Sequence, residues 1–153
     1  MPGPPIRRVV TGHDAGGRAI VAIDEAKQDE RFSLVWTTEG FPVDNTTTDD
    51  GGARDVGITL GGGTVFRVGE IPAGGRSPMH RTNSVDYGIL LSGELDMELD
   101  GGETAHLKAG DVVVQRGTNH AWVNNSDAPA RMAWILIAAE PVKIGSRVLE
   151  PTM

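Results

Sequence analysis

At 153 residues, the chain is long enough to form one domain whose buried core needs no disulfide or structural metal. The formal net charge is -7, and no basic run exceeds two adjacent residues, which excludes a general affinity for nucleic acid or anionic membrane. There is no cysteine, which excludes disulfides, cysteine-based zinc sites and thiol nucleophiles.

Twenty-one glycines and nine prolines fall between short apolar runs rather than in one tract. That spacing implies many tight turns and an all-β chain. After Arg7 and Arg8 no apolar stretch of signal-peptide length follows, and no later segment has the length of a membrane span. A soluble, cytoplasmic protein is the expectation.

Residues 1–55 form a looser region: a proline-rich start, an apolar run Ala19 to Ile23, a charged stretch Asp24 to Arg31, then Phe32 to Trp36. Lys27 to Glu30 can form one helical turn. Pro42 to Ala53, rich in threonine, aspartate and glycine, reads as an exposed loop. From Val56 the pattern becomes short strands: Gly57 to Leu60, Thr64 to Ile71, Ser77 to Arg81, Val85 to Leu91, Leu95 to Leu99, Thr104 to Leu107, Asp111 to Val114, His120 to Asn124 and Arg131 to Ala139. Leu95, Met97 and Leu99 alternate with Asp96, Glu98 and Asp100, the period of a strand with one wet face, and Asp100-Gly101-Gly102 supplies a hairpin turn. So many short strands predict a sandwich or barrel over residues 56–140. Residues 1–55 are expected to belong to the same domain, and 141–153 to lie on its surface.

Two blocks carry the chemistry. The first is Gly75-Arg-Ser-Pro-Met-His80-Arg-Thr82-Asn-Ser-Val-Asp86-Tyr-Gly-Ile-Leu-Leu-Ser-Gly93, and the second is Gly110-Asp-Val-Val-Val-Gln115-Arg-Gly117-Thr-Asn-His120-Ala-Trp122-Val-Asn124. Together they resemble the two motifs of the cupins, small single-domain barrels of the type-2 conserved barrel kind. The resemblance implies an all-β fold, a double-stranded β-helix or jelly-roll barrel. It also implies one divalent metal ion held by His80, His120 and Asp86. Thr82 stands where the family has a second histidine, Asp86 where it has glutamate, and Gln115 where it has proline.

Independently of the resemblance, neutral imidazoles with a carboxylate suit Zn, Fe, Mn, Ni or Co and leave coordination positions open for water or substrate. Aspartate is one methylene shorter than glutamate, so Asp86 has a second reading: it holds His80 or a water. His80 and Thr82 are two apart, as are His120 and Trp122, so each pair shares a side of its strand. Thr82 and Trp122 are therefore expected to line the same pocket if the histidine side is the barrel interior, and Gln115 is assigned to that pocket as well. Tyr87, of opposite parity to Asp86, should point away. Arg67 is read as an exposed strand arginine, with a position facing a substrate carboxylate as the alternative. His13 and His106 are read as surface residues without a nearby partner.

The leading functional expectation is a metal-dependent enzyme acting on a small molecule with a carboxylate or carbonyl near the reacting carbon. Its ion would serve as a Lewis acid in decarboxylation, elimination or isomerisation. The alternatives are a non-haem iron dioxygenase and a non-catalytic cupin that binds or senses a small ligand. A small molecule and a second copy of the chain, in a homodimer, are the expected partners.

Overall fold

The computed structural model describes residues 3–28 and 31–152. Among these residues twelve strands follow one another: β1 (Ile6–His13), β2 (Ala19–Lys27), β3 (Phe32–Glu39), β4 (Gly63–Ile71), β5 (Ser84–Ser92), β6 (Glu94–Leu99), β7 (Thr104–Lys108), β8 (Val112–Arg116), β9 (His120–Val123), β10 (Ala130–Ala138), β11 (Val142–Ile144) and β12 (Arg147–Leu149). Of the helical turn expected at Lys27 to Glu30, Lys27 ends β2, Gln28 is in no regular element, and Asp29 and Glu30 lie outside the described residues.

A five-stranded sheet runs β3-β4-β10-β5-β8, and a three-stranded sheet runs β7-β6-β9. Their inner faces enclose one core of Val65, Ile71, Leu90, Leu95, Leu107, Trp122, Ala130, Met132, Trp134 and Leu136. Alternation along each strand decides which side chains enter it, and burying one such side chain contributes about 1.5–3 kcal/mol. The sheet includes β3, so the barrel starts well before residue 56.

Two expected strands are not strands. Gly57 to Leu60 stays in the loop before β4, because both edges of β4 are already taken by β3 and β10. Val56 and Leu60 nevertheless pack onto the core from that loop. Ser77 to Arg81 forms no regular ladder: isolated bridges at His80 and Arg81, and one at Arg76 just before it, add to the hydrogen bond from the Ser77 N–H to the Trp122 carbonyl at 2.9 Å. Pro78, which has no N–H, interrupts any regular ladder there.

The turn after Leu99 forms where Asp100-Gly101-Gly102 predicts it, with Gly102 N–H donating to the Leu99 carbonyl at 3.0 Å and Gly102 at φ 95°. Gly93, the last glycine of the first motif, has φ 81°, and a Cβ there would sit 2.5 Å from the Pro129 carbonyl oxygen. Both the backbone angle and the close approach require glycine.

Outside the barrel, β1 and β2 pair only with each other. Their ribbon is fastened at its base by Arg8, whose buried guanidinium donates to both Asp50 oxygens at 2.6 and 2.8 Å and to Glu25 at 2.6 Å. The C-terminal residues form the β11–β12 hairpin and then a bridge between Thr152 and Arg81. No helix is long and apolar enough to cross a membrane among the described residues.

Candidate metal centre

His80 and His120 meet across an antiparallel bridge. Each donates its backbone N–H to the other's carbonyl, at 2.8 and 2.9 Å, and the ring centroids are 4.4 Å apart. Pairing an irregular segment with the start of β9 thus brings together two histidines forty positions apart in the sequence.

Both rings are held in the same way. Nδ1 of His80 lies 2.8 Å from the Pro78 carbonyl oxygen, and Nδ1 of His120 lies 2.9 Å from that of Thr118. A carbonyl can only accept, so each Nδ1 carries the proton and each neutral ring keeps its lone pair on Nε2. Burial pushes the His120 pKa down, opposed by the Thr118 hydrogen bond, and the ring is 1% exposed. A neutral imidazole with a fixed tautomer is the form that binds a divalent ion.

Asp86 lies on the inner face of β5 and is 5% exposed. Its Oδ1 accepts from Ser84 Oγ at 2.6 Å and its Oδ2 from Gln115 Nε2 at 2.7 Å. Burial raises its pKa, while those two hydrogen bonds and the nearby His120 and His80 oppose the rise. Among the described residues no three His, Asp or Glu side chains form a ligand group. The two imidazoles therefore fit as metal donors, while both Asp86 oxygens are committed to neutral donors beside them.

Thr82 is buried and shares a 2.7 Å hydrogen bond with Ser84 Oγ. Gln115 is buried too, and its Oε1 accepts from the Thr118 N–H and, at 3.0 Å, from Thr118 Oγ1. Trp122 is 6% exposed and stands edge-on to His120 at 5.5 Å. Tyr87 faces outward, as its parity predicts. Asn124, which closes the second motif, holds the loop around it: its amide donates to the Ile71 and Ala128 carbonyls and its oxygen accepts from Ser126.

Three residues need a different reading from the sequence expectation. Arg67 is not an exposed strand arginine: it is partly buried, with the inward parity of Val65 and Ile71, and burial lowers its pKa. His106 is exposed, but it has partners, at 2.5 Å from Asp96 Oδ1 and 3.2 Å from Glu94 Oε1. Ser84, unremarked in the sequence, links Thr82 to Asp86; its spacing of two from each was the available signal. A surface depression of about 90 Å³ lies away from the histidine pair, lined by Glu94, Leu95, Asp96, His106, Asn125 and Ser126.

Comparisons with known proteins agree with this architecture. Residues 67–136 match the cupin domain. The chain is 41% identical over 157 residues to phomopsin biosynthesis cluster protein C' of Diaporthe leptostromiformis, covering 93% of this chain and 83% of that one. It is 32% identical to a cupin-domain-containing oxidoreductase of Aspergillus ruber, covering 94% of this chain and 77% of that one. A solved cupin 2 conserved barrel protein of Salinispora arenicola is 25% identical, with a TM-score of 0.46, over 50% of this chain and 64% of that one. With the barrel, both motif histidines and these relatives in hand, the chain belongs to the cupin-domain family.

Proposed function

We propose that the chain is an enzyme of small-molecule biosynthesis, with a divalent metal site at His80 and His120 and a substrate bearing a carbonyl or carboxylate. The observation that carries this reading is the matched setting of the two imidazoles, each with Nδ1–H on a backbone carbonyl and Nε2 left as a donor. When bound, the ion supplies Lewis-acid stabilisation of negative charge on a substrate oxygen.

The chain's own residues do the rest. His80 and His120 hold donor atoms in a fixed orientation, so little side-chain freedom is lost on binding. Asp86, fixed at both oxygens by Ser84 and Gln115, offsets positive charge beside the imidazoles and is proposed as an outer carboxylate rather than a direct ligand. Trp122 and Trp134, 6.2 Å apart edge-on, form an apolar wall that excludes water and strengthens the electrostatics.

The oxidoreductase names of several relatives favour iron and oxygen-dependent chemistry as the second reading. Metal analysis of untagged protein tests both. Stoichiometric metal supports the site, iron selects the second reading, and protein that binds none of zinc, iron, manganese or nickel at micromolar concentration overturns it.

A homodimer is part of the same proposal. Strand β8 is a sheet edge that exposes Val112 and Val114 beside Tyr87 of β5. An apolar edge of this kind is shielded most simply by a second copy. Light scattering that gives the 16.2 kDa monomer mass at micromolar concentration would remove it.

A further inference from the structure

Along the inner face of the larger sheet, two rows of side chains run side by side. Register places Gln115, Asp86, Leu136 and Val65 in one row, and Val113, Gly88, Trp134 and Arg67 in the next. Arg67 thus faces the same interior as Asp86, two strands away. At the usual strand spacing that is a lateral offset of roughly 10 Å.

Arg67 is unusual for a partly buried cation. Among the described residues its guanidinium makes one hydrogen bond, to the Gly57 carbonyl at 2.7 Å, and no ion pair. Burial alone shifts its pKa, downward, with no carboxylate to oppose it. A guanidinium carries five N–H donors, so most of them are left without a protein acceptor.

Its cross-strand neighbour brings a buried donor of its own. Trp134 is paired directly with Arg67 in the ladder, which sets their Cβ atoms about 5 Å apart. Trp134 is 9% exposed, and its Nε1–H is buried without an acceptor. Buried donors left unpaired cost free energy that an incoming acceptor recovers. The ring of Trp134 also continues the aromatic wall that leads through Trp122 to His120 and His80, with successive centroids at 6.2, 5.5 and 4.4 Å.

We propose that Arg67 and the Trp134 indole N–H form an anion subsite that takes the carboxylate of the substrate, at the far end of the wall from the histidine pair. The inference rests on the reading of His80 and His120 as the reacting end, and it narrows the substrate to an unsaturated or aromatic acid that carries a carbonyl oxygen at its other end. Its carboxylate is anchored away from the ion, and its reacting carbon lies along Trp122. The Gly57 carbonyl orients the guanidinium, so the loop before β4 helps to set the subsite.

The test is calorimetric titration of the full chain with benzoate and cinnamate, each beside its neutral amide, with and without saturating zinc. The carboxylates should bind about tenfold or more tightly than the amides, the range expected for charge-assisted hydrogen bonds. The preference should persist in the zinc-free chain. Arg67→Gln should reduce the ratio to about one while leaving zinc affinity within about twofold, since additivity holds for separated sites. Arg67→Lys should keep part of it, and Trp134→Phe should lower it without removing it. In the parent, benzoate should also move an indole N–H resonance that is absent from Trp134→Phe.

Carboxylates that bind no better than amides, or a preference that is seen only with zinc present and survives Arg67→Gln, would overturn the subsite. In the second case the carboxylate goes to the ion and the metal reading stands. If zinc fails to bind while the zinc-free preference still depends on Arg67, the metal reading fails and the subsite stands.

Discussion

Gln115 donates its amide N–H to Asp86 Oδ2 across 2.7 Å, while its own carbonyl accepts the Thr118 N–H. A proline, which the cupin motif has at this position, could not donate that bond. The three departures of this chain from the motif are therefore connected. Thr82 bonds Ser84, Ser84 bonds Asp86, Asp86 accepts from Gln115, and Gln115 reaches Thr118, whose carbonyl fixes the His120 ring. The shorter carboxylate is held by side chains on both flanks.

Removing that clamp should be costly. Gln115→Leu leaves a buried carboxylate short of one donor and the Thr118 N–H without its acceptor, a loss of about 1–3 kcal/mol. Thermal unfolding of the zinc-free chain measures it. A variant as stable as the parent would show that solvent replaces the amide.

His80→Ala and His120→Ala should each weaken zinc binding by more than about 100-fold, since one imidazole alone is a poor site and loss of even an outer partner costs 10–100-fold. The barrel should remain folded, because its core consists of apolar strand faces. Titration calorimetry with circular dichroism separates the two effects. Unchanged zinc affinity in both variants would refute the donor assignment.

The depressed pKa of His120 gives stability a direction with pH. Between the folded value and the ordinary imidazole value of about 6.5, the unfolded chain binds more protons, so stability rises with pH in that window. This contribution is fully present above about 6.5 and is lost as pH falls through the folded value. His120→Gln should flatten the slope of zinc-free stability just below about pH 6.5. Zinc occupancy at subsaturating metal should fall on acidification through the same range, because protons compete for Nε2.

His106 should behave in the opposite sense. The Asp96 hydrogen bond first, then that of Glu94, raises its pKa. The stabilisation is present below the ordinary imidazole pKa and fades as pH rises through the folded one. Proton NMR titration should find His106 above about 6.5 in the parent, and Asp96→Asn should bring it down. An unshifted His106 in the parent would mean that the pair is screened by solvent.

Most of the fold was legible because it depends on local periodicity. Leu95-Met97-Leu99 and Asp100-Gly101-Gly102 fix a strand and its turn through nearest-neighbour geometry alone, and the structure has both. The five strands from Val85 to Asn124 were located to within a residue or two for the same reason. Gly57 to Leu60 misled because a β-like composition does not form a strand without a free ladder edge, and β4 has none.

The site divides along the same line. Sequence alone singled out His80 and His120 and, by parity, set Thr82 and Trp122 on the same sides as those histidines, because side-chain direction along a strand alternates with a fixed period. Which partners those side chains meet was decided only by tertiary pairing. The Pro78 and Thr118 carbonyls that set the tautomers, the hydroxyl of Ser84 between Thr82 and Asp86, and the pairing of Arg67 with Trp134 all depend on how distant segments are brought together. Register is a relation between segments far apart in the chain, set by how two apolar faces close on one core, and no local pattern contains it.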